Sequence, residues 1–106
     1  MDDVLKLIPT TQQRDSTGVM RTIDGTPREV LCHVRSVSRS EFYKAGRNGL
    51  NPAFLFVVFG AEYQGETILE YRGQHYAIYR TYQVPGTDYM ELYAERKGGT
   101  NVQSRT

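Results

Sequence analysis

The sequence has little of several features that assign a protein quickly to a chemical class. It contains one cysteine, Cys32, which excludes an intramolecular disulfide and a cysteine-based metal cage. Its net charge is only +1 and its pI is about 7.9, so it lacks the basic surplus typical of nucleic-acid-binding domains. Its two histidines, His33 and His75, lie far apart in the sequence, which does not suggest a pair of metal ligands. We therefore predict no metal site and no cofactor.

Long hydrophobic runs are also missing. The longest, residues 54–59, has six residues, whereas a membrane-spanning helix needs about 20. The first residues, Met1-Asp2-Asp3, are acidic and no apolar signal region follows them. We therefore expect a protein that stays in the cytoplasm of the cell that makes it and has no membrane partner.

The aromatic content of the sequence favours β-sheet. Among 106 residues there are eight tyrosines and four phenylalanines, but no tryptophan. Tyrosine suits sheet surfaces and subunit interfaces, because it buries a large ring and still satisfies its hydroxyl. The length allows one domain with a single modest core. We predict one all-β domain over residues 1–97 and a flexible tail over residues 98–106, where no apolar period remains.

The hydrophobic pattern predicts about six short strands and one short helix. Pro9 lies inside the first strand and either places it at an edge or ends it early. Ser38 and Glu41 form a capping-box pattern, which predicts the start of the helix. We therefore expect a small, mainly antiparallel six-stranded barrel or sandwich with one short helix in a central loop. The strand segments are 4–13, 19–23, 29–37, 53–61, 67–72, 75–84 and 88–97. The last three form a meander, with a tight hairpin turn at Arg72-Gly73-Gln74.

Residues 54–59 predict a middle strand that is apolar on both faces. A small barrel or sandwich can bury only one face of each strand, so either the short helix or a second copy of the chain must cover the other face. We favour the second copy. The face that needs cover is Phe54, Phe56 and Val58, or else Leu55, Val57 and Phe59. We predict the first set, Phe54, Phe56 and Val58, as the subunit interface.

No residue pattern indicates catalysis, and we predict that the chain is not an enzyme. Cys32 and His33 are neighbours, and adjacent side chains of a strand point to opposite faces, so they cannot form a nucleophile–base pair. We interpret Cys32 as a buried small apolar residue; a nucleophilic Cys32 is the remaining enzymatic alternative. The carboxylates are typical of a solvated outer sheet face rather than of acid–base catalysis: Glu66, Glu70, Glu91 and Glu95.

A single-stranded nucleic-acid-binding barrel is the principal alternative function. Tyr76, Arg80 and Tyr82 can share one face of a strand, and Arg72 precedes that strand. Aromatic rings interleaved with arginine can stack on bases. The small net charge and the neighbouring glutamates argue against strong attraction to phosphates.

Four stretches, in order along the chain, resemble the head-closure family of tailed phages, whose members are also called head-completion, stopper or head–tail connector proteins. The first is the polar turn RDSTG at residues 14–18, and the second is VRSVSRSEFYKAG at residues 34–46. The third is the hairpin ETILEYRGQHYAI at residues 66–78, and the fourth is the closing strand at residues 89–97. The apolar run at residues 54–59 departs from the family, whose middle strand usually has basic or polar surroundings.

The resemblance implies a six-stranded barrel-like fold that forms a homo-oligomeric ring at the head–tail interface of a virion. Such rings bind a portal-side adaptor or connector protein above and a tail-completion or tail-tube protein below, retain the packaged DNA until ejection, and contact channel DNA non-specifically. The helix and loop between the two middle strands line the channel in relatives and help to gate it. The alternative is a surface loop with no special task. By position, the channel-lining residues are Glu41, Lys44, Arg47, Asn48, Gly49, Leu50 and Asn51.

Overall fold

The structure is a computed structural model that describes residues 1–97, so the tail predicted over residues 98–106 lies outside the described residues. It is a closed six-stranded antiparallel barrel with a single short α-helix, which confirms the predicted fold class. No helix in the described part is long and apolar enough to cross a bilayer. The elements are β1 (Asp3–Ile8), β2 (Thr10–Arg14), β3 (Met20–Asp24), β4 (Arg28–Arg35), α1 (Arg39–Arg47), β5 (Pro52–Phe59), a 3₁₀ turn (Gly60–Glu62), β6 (Ile68–Tyr71), β7 (Gln74–Gln83) and β8 (Tyr89–Arg96).

The barrel closes in the strand order β1-β4-β5-β8-β7-β6, and β6 pairs with β1 to complete the ring of hydrogen bonds. The closing register places Leu7 opposite Leu69. Closure leaves none of these six strands with a free edge, so the barrel has no edge strand that could pair with another chain. Contacts with other molecules must therefore use side chains on its outer wall, its ends or the elements outside it.

Alternation along the strands fills the interior with apolar side chains. On β4, Val30 and Cys32 are buried while Leu31 and His33 are exposed, as the period of two requires. The core comprises Leu5, Leu7, Val30, Cys32, Phe56, Val58, Leu69, Tyr71, Tyr76, Leu92 and Ala94.

The first predicted strand, 4–13, is two strands that belong to different sheets. Pro9 separates β1, which is in the barrel, from β2, which pairs only with β3. Proline cannot donate to a strand ladder, so the chain leaves the barrel there. Gly25, after β3, donates its N–H to the carbonyl of Pro9 and closes the base of the two-stranded ribbon. We call β2 and β3 together the ribbon; beyond Thr10 both of its strands are exposed.

The tight turn predicted after β6 is confirmed. Arg72 and Gly73 both have positive φ, 51° and 78°. Two consecutive residues of this kind form the turn whose twist matches a two-residue hairpin. This turn sets the pairing of β6 with β7.

Glu66 was wrongly assigned to the solvated outer face. Only 6% of the residue is exposed. Its carboxylate accepts hydrogen bonds from the Arg28 guanidinium at 3.0 Å and from the backbone N–H of Gln64 at 2.8 Å. Burial of a carboxylate is tolerated when charge and hydrogen bonds compensate it, and these two donors meet that need.

We expect Glu66→Ala to lower the free energy of unfolding by about 2 kcal/mol, because it leaves the Gln64 N–H and the half-buried guanidinium of Arg28 without their acceptor. Urea denaturation measures this loss. The matched control is Glu70→Ala, since the Glu70 side chain is 31% exposed and faces His75 at 3.4 Å; it should change stability by less than about 0.5 kcal/mol. Equal losses of unfolding free energy in the two variants would show that the buried Glu66 ion pair stabilises the fold no more than the exposed Glu70 contact does.

Candidate functional site

Helix α1 begins as the capping pattern predicts. The Ser38 hydroxyl accepts a hydrogen bond from the Glu41 N–H at 3.1 Å, which satisfies one of the unpaired donors of the first turn. Lys44 and Arg47 lie in the last turn, where cations favour the helix dipole. The apolar face of α1 is narrow, with Ala45 as its one buried residue, so packing alone holds the helix weakly on the barrel.

A β-bulge in β7 supplies the polar contact that holds α1. The register against β8 shifts between Ile78 and Arg80, so the chain gains one residue there. Such a bulge turns consecutive side chains toward the same side. The Tyr79 hydroxyl and the Arg80 guanidinium both donate to the Glu41 carboxylate, at 2.8 and 2.6 Å. We call Glu41, Tyr79 and Arg80 the helix anchor; within residues 1–97 they make the only hydrogen bonds between α1 and a barrel strand.

The helix anchor continues onto β8. The Arg80 guanidinium lies over the Tyr93 ring, 3.9 Å from its centroid, in cation–π geometry. The Tyr93 hydroxyl in turn donates to Glu91 at 2.7 Å. Burial opposes ionisation of Glu41, but the hydrogen bonds from Arg80 and Tyr79 and the positive charges of Arg80 and Lys44 outweigh it, so the pKa of Glu41 is lowered. Burial and the Glu41 carboxylate both raise the pKa of Tyr79, which therefore stays a donor at neutral pH.

The structure brings together four of the seven predicted channel-lining residues. Glu41, Lys44, Asn48 and Leu50 line one open cleft of about 460 Å³, together with Ala45, Tyr79 and Arg80. Arg47, Gly49 and Asn51 do not line it.

Hydrogen bonds order the chain after α1. Asn48 donates its backbone N–H to Ala45, and Gly49 follows with a positive φ of 80°. Leu50 then returns its N–H to Ala45 at 3.0 Å, and Asn51 donates its N–H to the Glu95 carboxylate on β8 at 3.0 Å. The predicted loop is therefore fixed at both ends, on the helix and on the barrel.

The predicted subunit interface is wrong. Phe56 and Val58 have no exposed surface, and Phe54 packs against the same core. The pairing of β5 with β4 and β8 turns these three side chains into the barrel. A second copy of the folded chain cannot reach Phe56 or Val58.

The opposite face of β5 is covered only in part. The helix α1 packs on β5. Leu55 is only 7% exposed, so this position is covered within a single chain and needs no second copy. Farther along the strand, Val57 is half-buried and Phe59 is 41% exposed. Phe59 stacks on Tyr89, with 5.2 Å between ring centroids.

This uncovered end of β5 belongs to a larger exposed surface. Val4 on β1 pairs with Leu31 on β4, and both side chains are exposed. Leu31 and Phe59 each lie two residues beyond the cross-strand pair of His33 and Val57. We call the resulting surface the outer apolar face: Val4, Leu31, Val57, Phe59 and Tyr89.

An open recess overlaps this face at Val57 and Tyr89, and no sequence pattern predicts it. It measures about 350 Å³ and is lined by Met1, His33, Arg35, Val57 and Tyr89. In the sequence, Leu31 lies between Val30 and Cys32 and so falls on the opposite face of the strand from them. Only the strand order shows that β1, β5 and β8 bring further apolar side chains beside it.

The residues predicted to stack on bases do not share a face. Tyr76 is 4% exposed and lies in the core, whereas Arg80 and Tyr82 are on the outer wall. The bulge at Tyr79 causes the difference, because it reverses the alternation between Ile78 and Arg80. Arg80 is also held by Glu41 and Tyr93.

Cys32 faces the barrel interior, with no exposed surface. Burial, with a smaller effect of the Asp3 charge, raises the pKa of its thiol to about 11. The thiolate is the reactive form of cysteine, so this residue is protected from reaction at neutral pH. This agrees with its interpretation as a small apolar core residue.

Within residues 1–97, no group of three or more His, Cys, Asp or Glu side chains is placed to hold a metal ion. No protein-family model matches the chain. No curated protein matches it in sequence.

Proposed function

We propose that the chain is a structural subunit that assembles with copies of itself into a ring at the head–tail connector of a tailed phage or prophage. The ring closes the DNA-filled head and provides the docking surface for the tail. One observation carries the assembly role: the outer apolar face is exposed on a barrel that is already closed. Its large members are Leu31 at 55%, Val4 at 46%, Phe59 at 41% and Tyr89 at 40% exposure.

Contiguous apolar surface of this kind is characteristic of protein interfaces. Because the barrel is closed, another chain cannot add a strand to its sheet. The six barrel strands can therefore associate with another chain only through side chains on the outer wall. Phe59 and Tyr89 are already stacked on each other, and a preformed aromatic pair loses little conformational freedom when it binds. Large aromatic side chains also carry much of the binding energy at protein interfaces.

The phage setting is supported by the resemblance of four ordered stretches to head-closure proteins and by the position of α1. The helix lies between β4 and β5, where the resemblance places the channel-lining element. Its single carboxylate, Glu41, is neutralised by Arg80, while Arg39, Lys44 and Arg47 are exposed. In the proposed ring, α1 and the residues after it face the channel, where these cations contact DNA without reading its sequence.

The test is electron microscopy of phage particles that lack the protein. We expect DNA-filled heads that leak DNA and carry no tails, and a return of tailed particles when the unaltered chain is supplied. Phe59→Asp should fail to restore tails because it places a charge in the outer apolar face. The control Glu70→Lys changes charge on β6, a strand that contributes no residue to that face, and should restore them. Normal tailed particles without the protein would overturn the proposal.

A further inference from the structure

Helix α1 presents two aromatic rings to solvent. Phe42 is 44% exposed, and Tyr43, at 63%, is the most exposed large hydrophobic residue in the part of the chain that the structure describes. Their rings contact each other edge to face, with 6.3 Å between the centroids. Two adjacent exposed rings form a patch that a partner can cover, which a single exposed side chain does not.

Unpaired cations flank these rings. Arg39, Tyr43 and Arg47 are spaced by four residues, which places them along one side of the helix. Lys44 is also exposed. Within residues 1–97 none of the three cations forms an ion pair, whereas the single carboxylate of the helix, Glu41, already has a partner on the barrel. The solvent-facing side of α1 therefore carries positive charge that no neighbouring side chain neutralises.

An open recess of about 630 Å³ lies against the two rings, and its lining residues are Val37, Ser38, Arg39, Phe42 and Tyr43. The lining includes a cation and no acidic residue. A recess elsewhere on the barrel differs in this respect, because its lining includes Glu62 and Asp88 and would repel an anion. An aromatic wall beside a positive charge fits a flat ring that is joined to an anionic group.

Single-stranded nucleic acid combines these two features in every unit of its chain. Proteins that bind single strands stack the bases on aromatic side chains and attract the backbone with cations. Bases inside a duplex are stacked on their neighbours on both sides, so stacking on a protein ring requires unpaired bases. A protein segment offers rings beside anions only where its particular sequence does, whereas every nucleotide carries both. The rings and charges of α1 therefore favour a nucleic-acid partner.

We propose that Phe42 and Tyr43 form a stacking surface for unpaired DNA bases. The adjoining phosphates are held by Arg39, Lys44 and Arg47. This deepens the proposed function, on which it rests for the source of the DNA: the cations contact channel DNA of any form, and the two rings add a preference for an end with unpaired bases. The stacking surface shares no residue with the outer apolar face.

Fluorescence anisotropy of a labelled oligonucleotide at low salt tests the stacking surface in the full chain. The probe is a single-stranded oligothymidylate of roughly a dozen nucleotides, within the site sizes of small single-strand binders. The unaltered chain should bind it more tightly than a duplex of the same length. Tyr43→Ala should weaken binding to the single strand on the order of 10-fold, as loss of one stacked base does, and should change binding to the duplex far less.

Two further variants control for this result. Tyr82→Ala removes another exposed tyrosine, from β7, and should leave binding unchanged. Tyr43→Phe keeps the ring that stacks and should retain the affinity of the unaltered chain. Far-UV circular dichroism checks that each variant is folded.

The salt dependence of binding separates the rings from the cations. Each phosphate contact with a single strand contributes about 0.7 to the slope of the logarithm of affinity against the logarithm of salt concentration. Arg47→Gln should reduce the slope by about this amount, while Tyr43→Ala should lower the affinity at an unchanged slope. Arg14→Gln is the control, because Arg14 is exposed on the ribbon and should leave the slope unchanged.

Failure of this inference is distinguishable from failure of the proposed function. Equal affinity of Tyr43→Ala and the unaltered chain for the single strand would overturn the stacking surface, as would tighter binding to the duplex. Absence of binding at low salt would also overturn it and would leave a protein as the partner of the two rings. None of these results bears on tail attachment, which the particle experiment decides separately.

Discussion

Phe56→Ala is expected to lower the free energy of unfolding by about 3–5 kcal/mol, the usual range for removing a buried aromatic side chain from a core. Phe56 has no exposed surface and lies at the centre of an aromatic cluster. Its ring is 5.3 Å from that of Tyr71, 5.7 Å from Tyr76 and 5.8 Å from Phe54, in edge-to-face arrangements. Such pairs add to the stabilisation from buried area. Urea denaturation followed by circular dichroism measures the loss.

The matched control for this prediction is Phe59→Ala, three residues along the same strand. Phe59 is 41% exposed, so its truncation should cost no more than about 1 kcal/mol in the isolated chain. Phe59→Ala should also weaken docking on the outer apolar face. Phe56→Ala should leave this docking unchanged as long as the chain stays folded. A larger loss of stability from Phe59→Ala than from Phe56→Ala would mean that β5 is turned the other way round.

The orientation of β5 was the part of the fold that its sequence could not determine. Both alternating sets in residues 54–59 are apolar, so a period of two gives no reason to turn one set inward. Pairing with β4 and β8 decides the matter, because their inward faces are identified by residues such as Val30 and Leu92. The argument that this segment needs a second copy fails at Phe56, Val58 and Leu55. It survives only at the end of the strand, where Phe59 joins side chains from β1, β4 and β8.

Local chemistry was predicted more reliably than long-range contacts. The Ser38 cap and the turn at Arg72 and Gly73 depend on a few consecutive residues, and both were predicted. The bulge at Tyr79 has no comparable signature, since it arises from the register between β7 and β8. The burial of Glu66 likewise depends on Arg28, 38 residues away in sequence. The anchor of α1 was therefore missed, although its members Glu41 and Arg80 had both been singled out for other roles.

Loss of the helix anchor is the second large effect that we expect. Glu41→Ala removes the carboxylate that accepts hydrogen bonds from Tyr79 and Arg80. A hydrogen bond to a charged group contributes about 1.5–3 kcal/mol to stability. With only a narrow apolar face left to hold it, α1 should open on the order of 10- to 100-fold more often. Hydrogen-exchange protection factors of the α1 amides measure this opening. Tyr82→Phe is the control. The residue Tyr82 is 45% exposed, and its hydroxyl makes no hydrogen bond within residues 1–97.

The pH dependence of hydrogen-exchange protection in α1 tests whether the charge of Glu41 holds the helix on the barrel. Because the pKa of Glu41 is lower in the folded chain than in the unfolded chain, its contribution is complete above the ordinary carboxyl pKa of about 4.3 and is lost as the pH falls through the lowered value. Protonation removes the ion pair with Arg80, so the unaltered chain should approach Glu41→Gln in α1 protection at acid pH and exceed it at neutral pH. A difference between the two chains that persists unchanged into acid would mean that the shape of the side chain, and not its charge, holds α1 on the barrel.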